Sequence, residues 1–111
     1  MLNQVIYVGR LVKDIELNEN ENGEKNSTMT LAVNRPFKNE QGIYETDFID
    51  AVISNTIASQ TAEYCKKGDM VGVRGRLQSK MEDNKRLLYI VVDKITFLSS
   101  KKPEAGDDLS D

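Results

Sequence analysis

Histidine and tryptophan are absent from the 111 residues, and cysteine occurs once, at Cys65. Without histidine the Ser-His-Asp and Cys-His nucleophilic arrangements cannot be built, and neither can a His-ligated metal site. A lone cysteine forms no internal disulfide, and a thiol without a base partner is a poor nucleophile. No apolar run approaches the roughly 20 residues of a membrane span. The start, Met1 to Val5, lacks the basic and apolar stretches of a secretory signal. The expected compartment is therefore the cytoplasm. No cofactor and no metal are implied, and the chain is not expected to be an enzyme. One acidic pair, Asp47 and Asp50, could hold a magnesium ion. Residues three apart on a strand face opposite sides, so that pair would converge only at a bulge.

An excess of acid over base is present, with 18 Asp and Glu against 15 Lys and Arg. Its distribution is uneven. The last nine residues hold Glu104, Asp107, Asp108 and Asp111 and no base. Setting them aside turns an excess of three acids into an excess of one base. A second acidic stretch, Asp14, Glu16, Glu19, Glu21 and Glu24, lies in one polar loop. The remaining chain is biased toward cations, so an acidic isoelectric point can coexist with a basic face.

Apolar patterning supplies the organisation. Asn3 to Val12 reads as a strand apolar on both faces, hence buried. Asp14 to Ser27 is a polar loop that contributes no core face. Thr28 to Asn34 alternates Met29, Leu31 and Val33 with Thr30 and Ala32. Phe37 to Tyr44 forms a long hairpin with Asn39-Glu40-Gln41-Gly42 at its tip, followed by a strand over Glu45 to Ile53. Asn55 to Lys67 is the one helix, capped by Ser54 or Asn55 and stopped at Gly68. Met70 to Ser79 and Leu87 to Leu98 are strands, joined by a hairpin turning at Asp83-Asn84. Tyr64 and Phe97 are assigned to the core. Gly9, Gly72 and Gly75 lie inside strand patterns and mark either bends or close backbone approach. Five strands with a helix between the third and fourth is the order of the OB-fold, a Greek-key barrel, here an all-β domain over residues 1–100. Residues 101–111 have the composition of a short, disordered acidic tail.

Candidate site residues follow from aromatics placed beside bases. Phe37 and Tyr44 flank the hairpin tip near Arg35 and Lys38. Such a group suits base stacking with phosphate contact, or equally a cross-strand aromatic pair. Arg74 and Arg76, two apart, point to one face, and Lys80, Lys85 and Arg86 extend that basic run into the last hairpin. Arg10 and Lys13 add a third basic locus. These cations form either a solvated surface or the electrostatic groove of a single-strand binder.

Three segments combine in order. They are Met1 to Leu11 (MLNQVIYVGRL), then Leu31 to Arg35 (LAVNR), then Lys66 to Asp69 (KKGD) followed by Gly72 to Leu77 (GVRGRL). With Asp47-Phe48-Ile49 also in place, residues 1–99 resemble the bacterial single-stranded DNA-binding protein family, especially its Gram-positive and phage branch. The resemblance implies an OB-fold, a homotetramer, and sequence-independent binding of single-stranded DNA in replication, recombination and repair. It places two of the family's stacking rings on Phe37 and Phe48. A third position falls on Ser54, without a ring. The hairpin aromatic falls near Met81 or Glu82, leaving Tyr44 and Tyr89 as compensating rings. The family's acidic tip, which docks replication and repair proteins, ends in Pro-Phe; here the last residues are Leu109-Ser110-Asp111. Alternatives within the same fold are a dimeric primosome-type restart protein and an interaction subunit that no longer binds nucleic acid.

Overall fold

The structure is a computed structural model and describes residues 1–99. The tail expected over residues 101–111 lies outside them. The elements are β1 (Val5–Leu11), β2 (Asn18–Glu19), β3 (Lys25–Lys38), β4 (Tyr44–Ser54), α1 (Asn55–Tyr64), β5 (Met70–Glu82) and β6 (Lys85–Ser99). The sheet runs β1-β5-β6-β4-β3-β2, and β1 also pairs with β3, through Arg10 opposite Ala32 and Leu11 opposite Leu31. That pairing closes five strands into a barrel, with β2 as a short addition at the edge of β3. All pairings are antiparallel except β4 with β6, where Ala51 and Val52 meet Ile90 and Val91. This is the expected OB-fold, with its helix between the third and fourth barrel strands.

Alternation of side chains fills the barrel. Met29 and Leu31 from β3, Ala51 and Ile53 from β4, Val71 and Val73 from β5, and Ile90 and Val92 from β6 form the core with Leu11. Ala58 of α1 and Cys65 just after it close one end. Burial pushes the Cys65 thiol up to about 11, so it stays protonated at neutral pH. The polar loop contributes more than expected: Ile15 packs against the core, and Ser27 is buried, donating its hydroxyl to the Glu16 carbonyl at 2.8 Å.

Three expectations are corrected. Among the described residues, only one face of β1 is covered. Val5 and Tyr7 pack against the core, whereas Ile6 and Val8 are exposed. Tyr64 and Phe97 are also exposed. Phe97 pairs with Val71 near the barrel rim, and the two rings cover each other there, with centroids 6.1 Å apart. The helix ends at Tyr64, not Lys67. Cys65 is already extended, and its N–H closes on the Thr61 carbonyl at 2.9 Å. The following turn has its own partners, since Asp69 accepts from the Lys66 N–H at 2.9 Å and Asp14 from the Lys67 N–H at 2.7 Å. Those carboxylates satisfy amides that another helical turn would use. Ser54 does occupy the helix-capping position, but its side chain makes no capping bond.

Two close approaches decide the barrel's shape. A Cβ on Gly9 would lie 2.8 Å from the Ala32 carbonyl oxygen, where β1 crosses β3. A Cβ on Gly75 would collide with the carbonyl of Val91. The register of β5 on β6 shifts beside it, with Arg74 opposite Lys94 but Gly75 opposite Val92. The glycine and the extra residue, Asp93, together bend the strands around the core.

Candidate nucleic-acid interface

Two hairpins carry candidate site residues. In the β5–β6 hairpin the turn is only Asp83 and Asn84, with φ of 54° and 65°. Two successive left-handed residues make the type I′ turn that matches strand twist, and Asp and Asn tolerate it. The strands therefore stay paired from Glu82–Lys85 inward, which makes this hairpin long and stiff. In the β3–β4 hairpin, Asn39 Oδ1 accepts from the N–H groups of Gln41 and Ile43 at 2.8 and 3.0 Å, and Gly42 takes a φ of 79°.

A groove of about 290 Å³ lies where the β5–β6 hairpin meets β3 and β4. Thr28, Thr30 and Asp50 form its floor on the outer face of β3 and β4, and Lys80, Leu88 and Tyr89 of the last hairpin form its wall. The Thr30 hydroxyl donates to Asp50 Oδ1 at 2.9 Å. The Lys80 ammonium stands 5.6 Å from the centre of the Tyr89 ring. Tyr89 is oriented from its other end, where Gln78 Nε2 donates to the phenol oxygen at 3.1 Å and Arg76 Nε donates to Gln78 Oε1 at 2.9 Å. Alternation along β4 puts Tyr44, Phe48, Asp50 and Ser54 on one face, so the rings of Tyr44 and Phe48 continue from the groove floor. Phe48 is 66% exposed and Phe37 65%. Lys38 pairs with Tyr44 across the hairpin, its ammonium 5.7 Å from the ring centre.

The expected cations fall into different surroundings. Lys80 lines the groove, and Arg76 belongs to the network behind Tyr89. Lys85 and Arg86 stand beyond it on β6, opposite Glu82 and Met81. Lys13 lines a small depression that shares Thr28 with the groove. Arg10 donates to the Gly68 carbonyl at 2.9 Å, tying β1 to the turn before β5. Arg74 lies elsewhere. It forms an ion pair with Asp93 at 3.0 Å and borders the depression lined by Ile6, Val8 and Leu98. Arg74 and Arg76 are both exposed on either side of the buried Gly75, as their spacing by two implies, but their partners differ: Asp93 for Arg74 and Gln78 for Arg76. Arg35 is held by carboxylates, with Nη2 2.8 Å from Asp47 and Nη1 2.7 Å from Glu45. Its hydrogen bond holds the Asp47 carboxyl below the usual carboxylate range, against a smaller desolvation effect in the other direction. Among the described residues, Arg10, Lys13, Lys38, Arg76, Lys80, Lys85 and Arg86 have no such ion pair.

The model of the Single-strand binding protein family matches residues 2–98. The chain belongs to this family. A single-stranded DNA-binding protein of Oceanobacillus iheyensis is 44% identical to it, over 99% of this chain and 71% of the relative. Single-stranded DNA-binding protein 3 of Listeria innocua is 45% identical over 99% and 72%. These relatives agree with the Gram-positive branch expected from the sequence. A solved structure of a Plasmodium falciparum SSB complex with ssDNA matches with a TM-score of 0.80, covering 89% of this chain and 96% of that one at 23% identity. At that identity it shows the fold, which for this family member is the closed five-stranded barrel.

The groove floor was not visible in the sequence. Thr28, Thr30 and Asp50 carry no aromatic or cationic signal, and Leu87 and Leu88 read as ordinary strand residues. Only the side alternate to Met29 and Leu31 hinted at an outer face. What stands against that face depends on the hairpin from sixty residues away.

Proposed function

We propose that the protein binds single-stranded DNA without sequence preference and without chemistry, acting in the cytoplasm in replication, recombination and repair. The observation that carries this reading is the set of exposed rings Tyr44 and Phe48 on the same β4 face as the groove, with Tyr89 in its wall and, among the described residues, Lys38, Lys80 and Lys13 free of ion pairs. Water-exposed rings are attractive to bases because every base offers a π-face, and the cations track the backbone phosphates. Arg10, Arg76, Lys85 and Arg86 extend the positive field at either end. The family relatives named as single-stranded DNA-binding proteins support the same reading.

Titration with oligothymidine at several salt concentrations tests it. Affinity falls linearly in log–log salt, with a slope of about −0.7 per neutralised phosphate. Lys80→Ala makes that slope shallower and weakens all sequences alike. Arg74→Ala, on the other depression, leaves the slope near wild type. A wild-type protein that ignores oligothymidine at low salt refutes the proposal and favours the interaction-subunit reading.

The same proposal includes assembly as a homotetramer. Ile6 is 64% exposed, and with Val8, Thr96 and Leu98 it lines a shallow apolar depression of about 320 Å³ on the outer face of β1, β5 and β6. Apolar side chains gathered on one strand face are suited to burial against a second copy. Ile6→Lys adds a charge there while leaving the core intact, so light scattering should show a smaller particle with an unchanged circular dichroism spectrum. A monomeric wild type would remove the assembly claim, and a stable dimer would favour the primosome-type reading. Docking of replication and repair proteins through residues 101–111 belongs to the proposal as well.

A further inference from the structure

The β3–β4 hairpin contains an irregularity next to one of its rings. Asn34 pairs with Thr46, and the next pairing is Lys38 with Tyr44. Arg35, Pro36 and Phe37 therefore stand opposite Glu45 alone. A three-against-one segment disrupts the ladder, and Pro36 offers no N–H to restore it. Side chains supply what the ladder lacks. Arg35 Nε and Nη2 fork onto Asp47 Oδ2 and Oδ1 at 3.1 and 2.8 Å, while Nη1 donates to Glu45 Oε1 at 2.7 Å. Glu45 Oε2 accepts from Asn39 Nδ2 at 2.9 Å, and Asn39 organises the tip. One chain of bonds thus runs from Asp47 through Arg35 and Glu45 to the turn.

Electrostatics argues against a phosphate at Arg35. One guanidinium between two carboxylates makes a cluster with a net charge of −1, and all three of its nitrogens are engaged. Three of the five N–H donors are used, so a phosphate would meet only the two that remain and would approach two negative charges. The cluster is suited instead to fixing the bulge. We propose that Arg35 is a positioning residue: clamped by Asp47 and Glu45, it holds the bulge that presents the exposed Phe37 ring to a base. This rests on the single-strand binding reading above and replaces the phosphate contact that the sequence suggested for Arg35.

The test separates positioning from charge. Oligothymidine affinity is measured across a salt series for the wild type, Arg35→Ala, Arg35→Lys and Asp47→Asn, and for Arg35→Ala combined with Phe37→Ala. Lysine keeps the charge but cannot form the fork. Positioning therefore predicts that Arg35→Lys weakens binding as much as Arg35→Ala, about three- to tenfold, with the salt slope unchanged. Asp47→Asn weakens binding in the same direction, and Arg35→Ala costs less than about twofold once Phe37 is alanine, because coupled residues are not additive. A near-normal Arg35→Lys together with a shallower slope for Arg35→Ala, or tighter binding by Asp47→Asn, overturns the proposal in favour of phosphate contact. Amide hydrogen exchange over residues 35–43 of the free proteins gives a second readout. Faster exchange in Arg35→Ala and Arg35→Lys is expected, and unchanged exchange in both overturns the clamp. If the wild type binds no oligothymidine, the function reading fails, and this exchange measurement still decides whether Arg35 holds the bulge.

Discussion

Replacing Phe37 and Phe48 together by alanine lowers affinity for oligothymidine at least about thirtyfold. A ring stacked on a base contributes about 1–3 kcal/mol by alanine substitution. Two such losses total at least about 2 kcal/mol, where about 1.4 kcal/mol is a decade. The fold should tolerate the change. Phe48 projects from the outer face of β4 opposite Ala32, and Phe37 projects from the bulge, both largely in solvent. Melting temperature therefore stays close to that of the wild type, and the salt slope is preserved because no cation is lost. Phe48 is therefore as clean a probe as Phe37. The converse change is Ser54→Phe. Ser54 is exposed on the same β4 face and makes no capping bond, so a ring there adds a stacking surface without uncapping α1. Tighter binding is expected. If the double alanine variant binds like the wild type, stacking is not how the ligand is held.

Gly75→Ala should be the most damaging single methyl in the protein. The new Cβ would overlap the carbonyl of Val91 and press on Ile90 Cγ2 at 3.0 Å. The obstacle is mostly backbone, so no rotamer change relieves it. Overpacking of a core costs about 1–3 kcal/mol when side chains can yield, and here the β5–β6 ladder itself must open. At about 4–8 °C per kcal/mol for a domain of this size, a fall in melting temperature of about 10 °C or more is expected. Gly72→Ala is the control, since its nearest new neighbour is Leu98 Cδ1 at 3.7 Å. It should melt within about 4 °C of the wild type, a cost of about 1 kcal/mol or less. Equal melting of the two variants would show that β5 and β6 do not approach this closely at Gly75.

Much of this architecture was legible because it is local. Met29, Leu31 and Val33 alternate, the Asp83-Asn84 pair suits a type I′ turn, and the apolar spacing of Ile57, Ala58 and Thr61 allows one helix. Each depends on residues a few positions apart, and element order then points to the barrel. The helix's end was misjudged because the groups that stop it, Asp14 and Asp69, act through side chains, one of them from more than fifty residues away. The core assignments of Tyr64 and Phe97 failed for a related reason. Hydrophobicity places a residue on an apolar stretch but does not say where the barrel's interior ends.

By itself the sequence determined the family, the barrel, the absence of histidine chemistry, and the rings and cations available for a ligand. Tertiary structure decided how those groups are used. It gave Arg74 and Arg76 different partners, Asp93 and Gln78, and brought Lys80 and Tyr89 of the last hairpin over Thr28, Thr30 and Asp50. It also surrounded Arg35 with Asp47 and Glu45. The reason is physical: charge and aromaticity belong to a residue, whereas exposure, pairing and facing depend on what distant strands bring alongside it.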